Sequence, residues 1–130
     1  MLNVKRIYDR PARTDGYRVL VDRLWPRGLA RPRARVDLWL REVAPSHALR
    51  KQFGHRPDRW KEFQRRYAEE LKSKQALLEH LRQLEREHGT VTLLFAARDK
   101  RRNNAVALAR ILQPQSRSPR RERRSATRSD

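Results

Sequence analysis

Residues Thr90-Val91-Thr92-Leu93-Leu94-Phe95-Ala96 form a run of strand length that is apolar at most positions. Such a run, rich in β-branched and aromatic side chains, reads as a buried strand. A second one, Tyr17-Arg18-Val19-Leu20-Val21, leads into Asp22. Leu2 to Ile7 alternates apolar and polar residues, as a half-buried strand does. Val36 to Val43 fits a further strand better than a short helix. Ser46 is a candidate N-cap for a helix over His47 to Phe53, and Gly54 a stop for it. Pro57 and Asp58 open a longer helical stretch. Trp60, Phe63, Tyr67 and Leu71 follow at helical spacing, then Leu77, Leu78, Leu81 and Leu84, with Ser73 marking a kink or a break and Gly89 the end. Asn103 can cap a last helix from Asn104 to Leu112.

The order of elements is strand, strand, strand, helices, strand, helix. This describes an α/β fold: a single compact domain with a small, mostly parallel sheet flanked by helices. The first connection, Tyr8 to Gly16, is shorter than the roughly 10–12 residues of a parallel crossover. The first two strands are therefore expected to pair antiparallel or irregularly.

Composition breaks after Leu112. The segment 113–130 holds Pro114, Pro119, four serines and six arginines, with no Leu, Ile, Val or aromatic residue. It cannot bury apolar area and is expected to be a disordered basic tail, leaving 1–112 as the folded domain. The whole chain of 130 residues has 33 Lys and Arg against 15 Asp and Glu, a net charge of +18. Such a balance points to anionic partners, either small anionic molecules or nucleic acid. The alternative is an arginine-rich solvated surface with no specific partner.

Cysteine is absent, which excludes a thiolate nucleophile, a Cys-type metal site and a disulfide framework. No segment approaches the roughly 18 apolar residues that span a bilayer, and the N-terminus lacks a signal-peptide core. No membrane partner and a cytoplasmic location are the expectations. There is no Walker loop, dinucleotide turn, nucleophile-elbow serine or zinc motif, so no metal or cofactor is assigned. No pattern sets an oligomeric state.

Ligands in open α/β sheets bind beyond the carboxyl ends of the strands. Three segments follow strands here: Arg23 to Gly28, Pro45-Ser46, and Arg98 to Asn104. In this reading Arg23 and Arg27 clamp an anion, and Gly28 lets backbone approach it. Ser46, Asn103 and Asn104 supply donors at helix starts. Asp22 could orient a water, a metal or a hydroxyl, or simply pair with Arg23, which could equally pair with Asp99. If chemistry occurs, Asp99 and His55 are the acid–base candidates. The stripe Trp60, Phe63, Tyr67 is core rather than a stacking surface.

These motifs resemble those of the YeaO-like family, bacterial proteins grouped under domain of unknown function 488. The resemblance rests on Asp15-Gly16-Tyr17 through Asp22-Arg23-Leu24-Trp25-Pro26-Arg27-Gly28, on Trp39 through Ala44-Pro45-Ser46, and on Leu49-Arg50-Lys51 with Phe53-Gly54-His55. Trp60, Phe63, Tyr67, the run Val91 to Asp99 and Asn103-Asn104-Ala105 complete it. It implies a small cytoplasmic α/β domain and transfers no reaction. A broader branch of the family has cysteines near the last strand, where this chain has Phe95-Ala96-Ala97, so thiol chemistry does not transfer.

The expected function is binding of a phosphorylated or other anionic small ligand in a cleft at the strand carboxyl ends. The alternative is a nucleic-acid-binding module using the basic surface and the arginine-rich tail.

Overall fold

The structure is a computed structural model, and it describes residues 1–113. Four strands form one sheet: β1 (Leu2–Arg6), β2 (Tyr17–Leu20), β3 (Leu38–Trp39) and β4 (Val91–Phe95). Their order across the sheet is β1-β4-β2-β3, and every pair is parallel. The helices are α1 (Arg31–Ala34), α2 (His47–Phe53), α3 (Trp60–Leu71), α4 (Gln75–His88) and α5 (Asn104–Leu112). The tail expected from its composition lies outside the described residues.

β1 and β2 do not pair, which corrects the expectation of an antiparallel or irregular first pair. β4 inserts between them, with Val91 opposite both Leu2 and Tyr17. The link from β1 must then return along a five-residue strand, about 17 Å, and step across two inter-strand spacings. Its ten residues, 7–16, reach about 33 Å when extended, so no helix is needed. A 3-10 turn at Arg13–Asp15 and Gly16 complete the return. Gly16 has φ +65°, and a β-carbon there would collide with the Thr90 carbonyl. Only glycine fits at that crossing.

Alternation along the strands divides the core. Val19, Val21, Val91, Leu93 and Phe95 face α2 to α5, where Phe63, Tyr67, Leu71, Leu78, Leu81 and Leu108 are buried against them. Leu20 and Leu94 face the other way and are covered by Ile7 and Ala34, with Trp25, Leu29 and Trp39 packed around. The aromatic stripe of α3 is core, as its spacing requires.

The strand expected over Val36 to Val43 is only two residues long. Its ladder ends with the Leu40 N–H donating to the Leu20 carbonyl (2.9 Å). The chain then coils through a 3-10 turn, Arg41–Val43, which carries Val43 under the helices. There the Tyr67 hydroxyl donates to the Val43 carbonyl (2.6 Å). Ser73 does break the long helical run. Its hydroxyl donates to the Glu70 carbonyl (3.1 Å), and a 3-10 turn, Lys72–Lys74, separates α3 from α4.

Candidate functional site

A cleft of about 560 Å³ opens beyond the carboxyl ends of β2 and β4. Asp22 and Arg23 enter it from β2, and Ala96 and Ala97 from β4. Ala44, Pro45, His47, Arg50, Lys51 and Phe53 come from α2 and its approach. His55, Phe63, Asn103 and Asn104 close it. The parallel sheet causes this convergence, because every strand delivers its following loop to the same edge.

Arg23, Arg50 and Lys51 are exposed and, among the described residues, have no carboxylate within ion-pair distance. The alternative, a pair of Arg23 with Asp22 or Asp99, is not formed. The Asp22 carboxylate is held by donors instead: Oδ1 accepts from Asn104 Nδ2 (3.0 Å) and Oδ2 from the Ala96 N–H (3.0 Å). Burial pushes its carboxyl above the usual carboxylate value, and the Asn104 and Ala96 hydrogen bonds and the charge of Arg50 offset this only in part.

The segment Asp22 to Gly28 splits between two sides of the molecule. Asp22 and Arg23 line the cleft, while Trp25 and Leu29 pack on the other face of the sheet with Ile7, Leu20, Ala34 and Leu94. Trp25 meets Trp39 edge-on at 5.5 Å between centroids, and its indole N–H donates to the Leu29 carbonyl (2.7 Å). Arg27 does not line the cleft; its carbonyl accepts the Tyr8 hydroxyl (2.8 Å). At Gly28 a β-carbon would meet nothing within 4 Å, so the glycine answers to φ +74° rather than to a close approach.

The remaining candidates divide in the same way. Ser46 caps α2, its hydroxyl accepting from the Leu49 N–H (3.1 Å) while donating to Glu70, on the side of α2 away from the cleft. Asn103 caps α5, accepting from the Val106 N–H (2.9 Å). Asp99 staples the turn before α5, accepting from the N–H groups of Arg101 (2.9 Å) and Arg102 (3.1 Å). The Arg101 N–H chiefly, with Arg102, holds its carboxyl below the ordinary value. Asp99 does not line the cleft, and His55 does.

His55 adopts φ +58°, directly after Gly54 at φ +54°. A left-handed backbone is costly for a residue with a β-carbon, and here it carries the imidazole to the cleft rim. His55→Gly is expected to raise stability by about 0.5–1 kcal/mol in chemical denaturation, since it relieves that cost. A loss of stability would show that the ring's packing near Phe53 matters more.

Sequence reasoning missed His47, Arg50 and Lys51. On a short amphipathic helix they look like any solvated basic face, and only the fold places them over the cleft. Among the described residues no group of three or more His, Asp or Glu is placed to hold a metal ion. No described helix is long and apolar enough to cross a membrane.

Related chains are found in Mycobacterium tuberculosis and Escherichia coli. An uncharacterized protein of Mycobacterium tuberculosis (strain ATCC 25618 / H37Rv) is 43% identical over 111 residues, covering 85% of this chain and 92% of that one. The uncharacterized protein YeaO of Escherichia coli (strain K12) is 36% identical over 108 residues, covering 83% and 93%. No solved structure matches. The family profile described as the inactive DUF488-N3 subclade matches residues 1–129. The chain belongs to that family, as a YeaO-like member of domain of unknown function 488.

Proposed function

We propose that this protein binds a phosphorylated or similarly anionic small ligand in the cleft at the strand carboxyl ends. One observation carries the reading: Arg23, Arg50 and Lys51 converge on a single cleft and, among the described residues, none has a carboxylate within ion-pair distance. With 33 Lys and Arg against 15 Asp and Glu, cations without an acidic neighbour are common on this surface, and what sets these three apart is that one cleft gathers them. Three unpaired cations around one hollow concentrate positive potential there. The guanidinium forks suit phosphate oxygens, and Lys51 adds a point charge. The description of the subclade as inactive favours binding over turnover.

The test is a thermal-shift titration of the full chain with inorganic pyrophosphate at low salt. A ligand that binds only the folded state adds about 2.7 kcal/mol at a hundredfold excess over Kd. Arg27→Ala should keep the shift, because Arg27 is off the cleft, and Arg23→Ala should reduce it. Equal loss in both variants, or no shift at all, would overturn the proposal.

A second reading has its own observation. Arg27, Arg31, Arg33, Arg35 and Arg41 are exposed and have no carboxylate within ion-pair distance among the described residues. Arg31 and Arg41 stack on Trp25 and Trp39 at 4.5 and 4.0 Å from the ring centroids. Such a surface suits nucleic acid, whose binding would fall steeply with salt through counterion release. Short DNA in the same titration separates the two readings.

A further inference from the structure

Among the described residues Asp22 is the one carboxylate lining the cleft, where it ties the end of β2 to Ala96 and Asn104. In a hollow built for an anion alone, a carboxylate repels the ligand. Nor does it serve to neutralise the cations. Arg50 acts on it only through space, and no salt bridge forms to Arg23, Arg50 or Lys51. The side chain is held away from them by Asn104 on one oxygen and the Ala96 N–H on the other, both at 3.0 Å. The Trp39 indole N–H fixes its backbone carbonyl (2.8 Å). Each carboxylate oxygen accepts about two hydrogen bonds, and among the described residues each has one side-chain or backbone donor, so each has capacity for one more.

We propose that the cleft takes a two-ended ligand: a phosphate group against Arg23, Arg50 and Lys51, and an N–H donor on the Asp22 carboxylate. The inference rests on the anion-binding reading above and adds the other end of the molecule. About 560 Å³ is far more than a lone phosphate fills and lies within the usual range for small-molecule sites. Apolar wall from Ala44, Pro45 and Phe53 is available to the body between the two ends. The chemistry is that of an amino-bearing phosphate, and two sources supply it: a nucleotide with an exocyclic amine, or an aminoalkyl phosphate.

Two matched pairs distinguish them by calorimetric titration of the full chain. One pair is adenosine 5′-monophosphate and purine riboside 5′-monophosphate; the other is phosphoethanolamine and ethyl phosphate. In at least one pair the amine-bearing member should bind tenfold or more tightly, and that pair names the source. In Asp22→Asn the preference should shrink below threefold while the amine-free member binds no worse. The wild-type pairs decide alone if that variant does not fold. Equal binding within both pairs, with inorganic pyrophosphate still bound, overturns this inference and leaves the anion cleft standing. Failure of pyrophosphate as well overturns both.

Discussion

Asp15→Asn is expected to destabilise the fold by about 3–5 kcal/mol, the range for breaking a buried ion pair from one side. Asp15 and Arg18 are 6% and 4% exposed, and the Arg18 guanidinium donates to the Asp15 carboxylate. Lys5 reaches the same carboxylate at 3.0 Å, and the Ala12 N–H at 2.9 Å. Arg18 also donates to the carbonyls of Ala34 (2.8 Å) and Arg35 (3.0 Å), the latter a residue with φ +50°. One network thus joins β1, the turn before β2, and the end of α1. Neutralising Asp15 leaves the guanidinium buried without a counter-charge. Burial pushes the Asp15 carboxyl up, but the Ala12 N–H, Lys5 and Arg18 more than offset it and hold it below the usual value. A carboxyl lowered in the folded state contributes stability above its unfolded pKa, about 3.9, and loses it as pH falls through the folded value. The wild-type advantage over Asp15→Asn should therefore shrink below about pH 4. Urea denaturation across pH reads both effects. A cost under 1 kcal/mol at pH 7 would mean that the pair does not organise this end of the sheet. Lys5, Asp15 and Arg18 do not line the cleft, so pyrophosphate affinity should be unchanged in the folded variant.

Arg50→Ala is the converse case: little change in stability and a large change in binding. The side chain is exposed on α2 and holds no ion pair among the described residues, so its removal should alter stability by no more than about 0.5 kcal/mol. A charged hydrogen bond to an anion contributes about 1.5–3 kcal/mol, so pyrophosphate affinity should fall roughly 10- to 150-fold. Asp22 also loses the cation that partly offsets its burial, so its pKa should rise further. Calorimetric titration at pH 7 and low salt measures the affinity. A change of less than twofold would remove Arg50 from the site.

Much of the local structure was legible in the sequence because local chemistry decides it. Ser46 caps α2, Gly54 ends it in a left-handed conformation, and Asn103 caps α5, each at the position its residue type indicates. Strand order was not legible, because the insertion of β4 between β1 and β2 depends on pairings some ninety residues apart. The site was legible in part for the same reason. Following β2 to its end identifies Arg23, but nothing local shows that the chain then carries Arg27 out of the cleft, with its carbonyl on the Tyr8 hydroxyl. Asp22 gains its meaning from Asn104, 82 residues distant. Arg50 and Lys51 gain theirs from the placement of α2 over the carboxyl ends of β2 and β4.

The most direct test of the anion cleft is an amide chemical-shift titration of the ¹⁵N-labelled full chain with inorganic pyrophosphate at low salt. The largest shifts should fall on Asp22 and Arg23, on 44–55, and on 96–104. Largest shifts on Trp25 through Arg41, or an even spread over α3 and α4, would place the anion elsewhere and contradict the account.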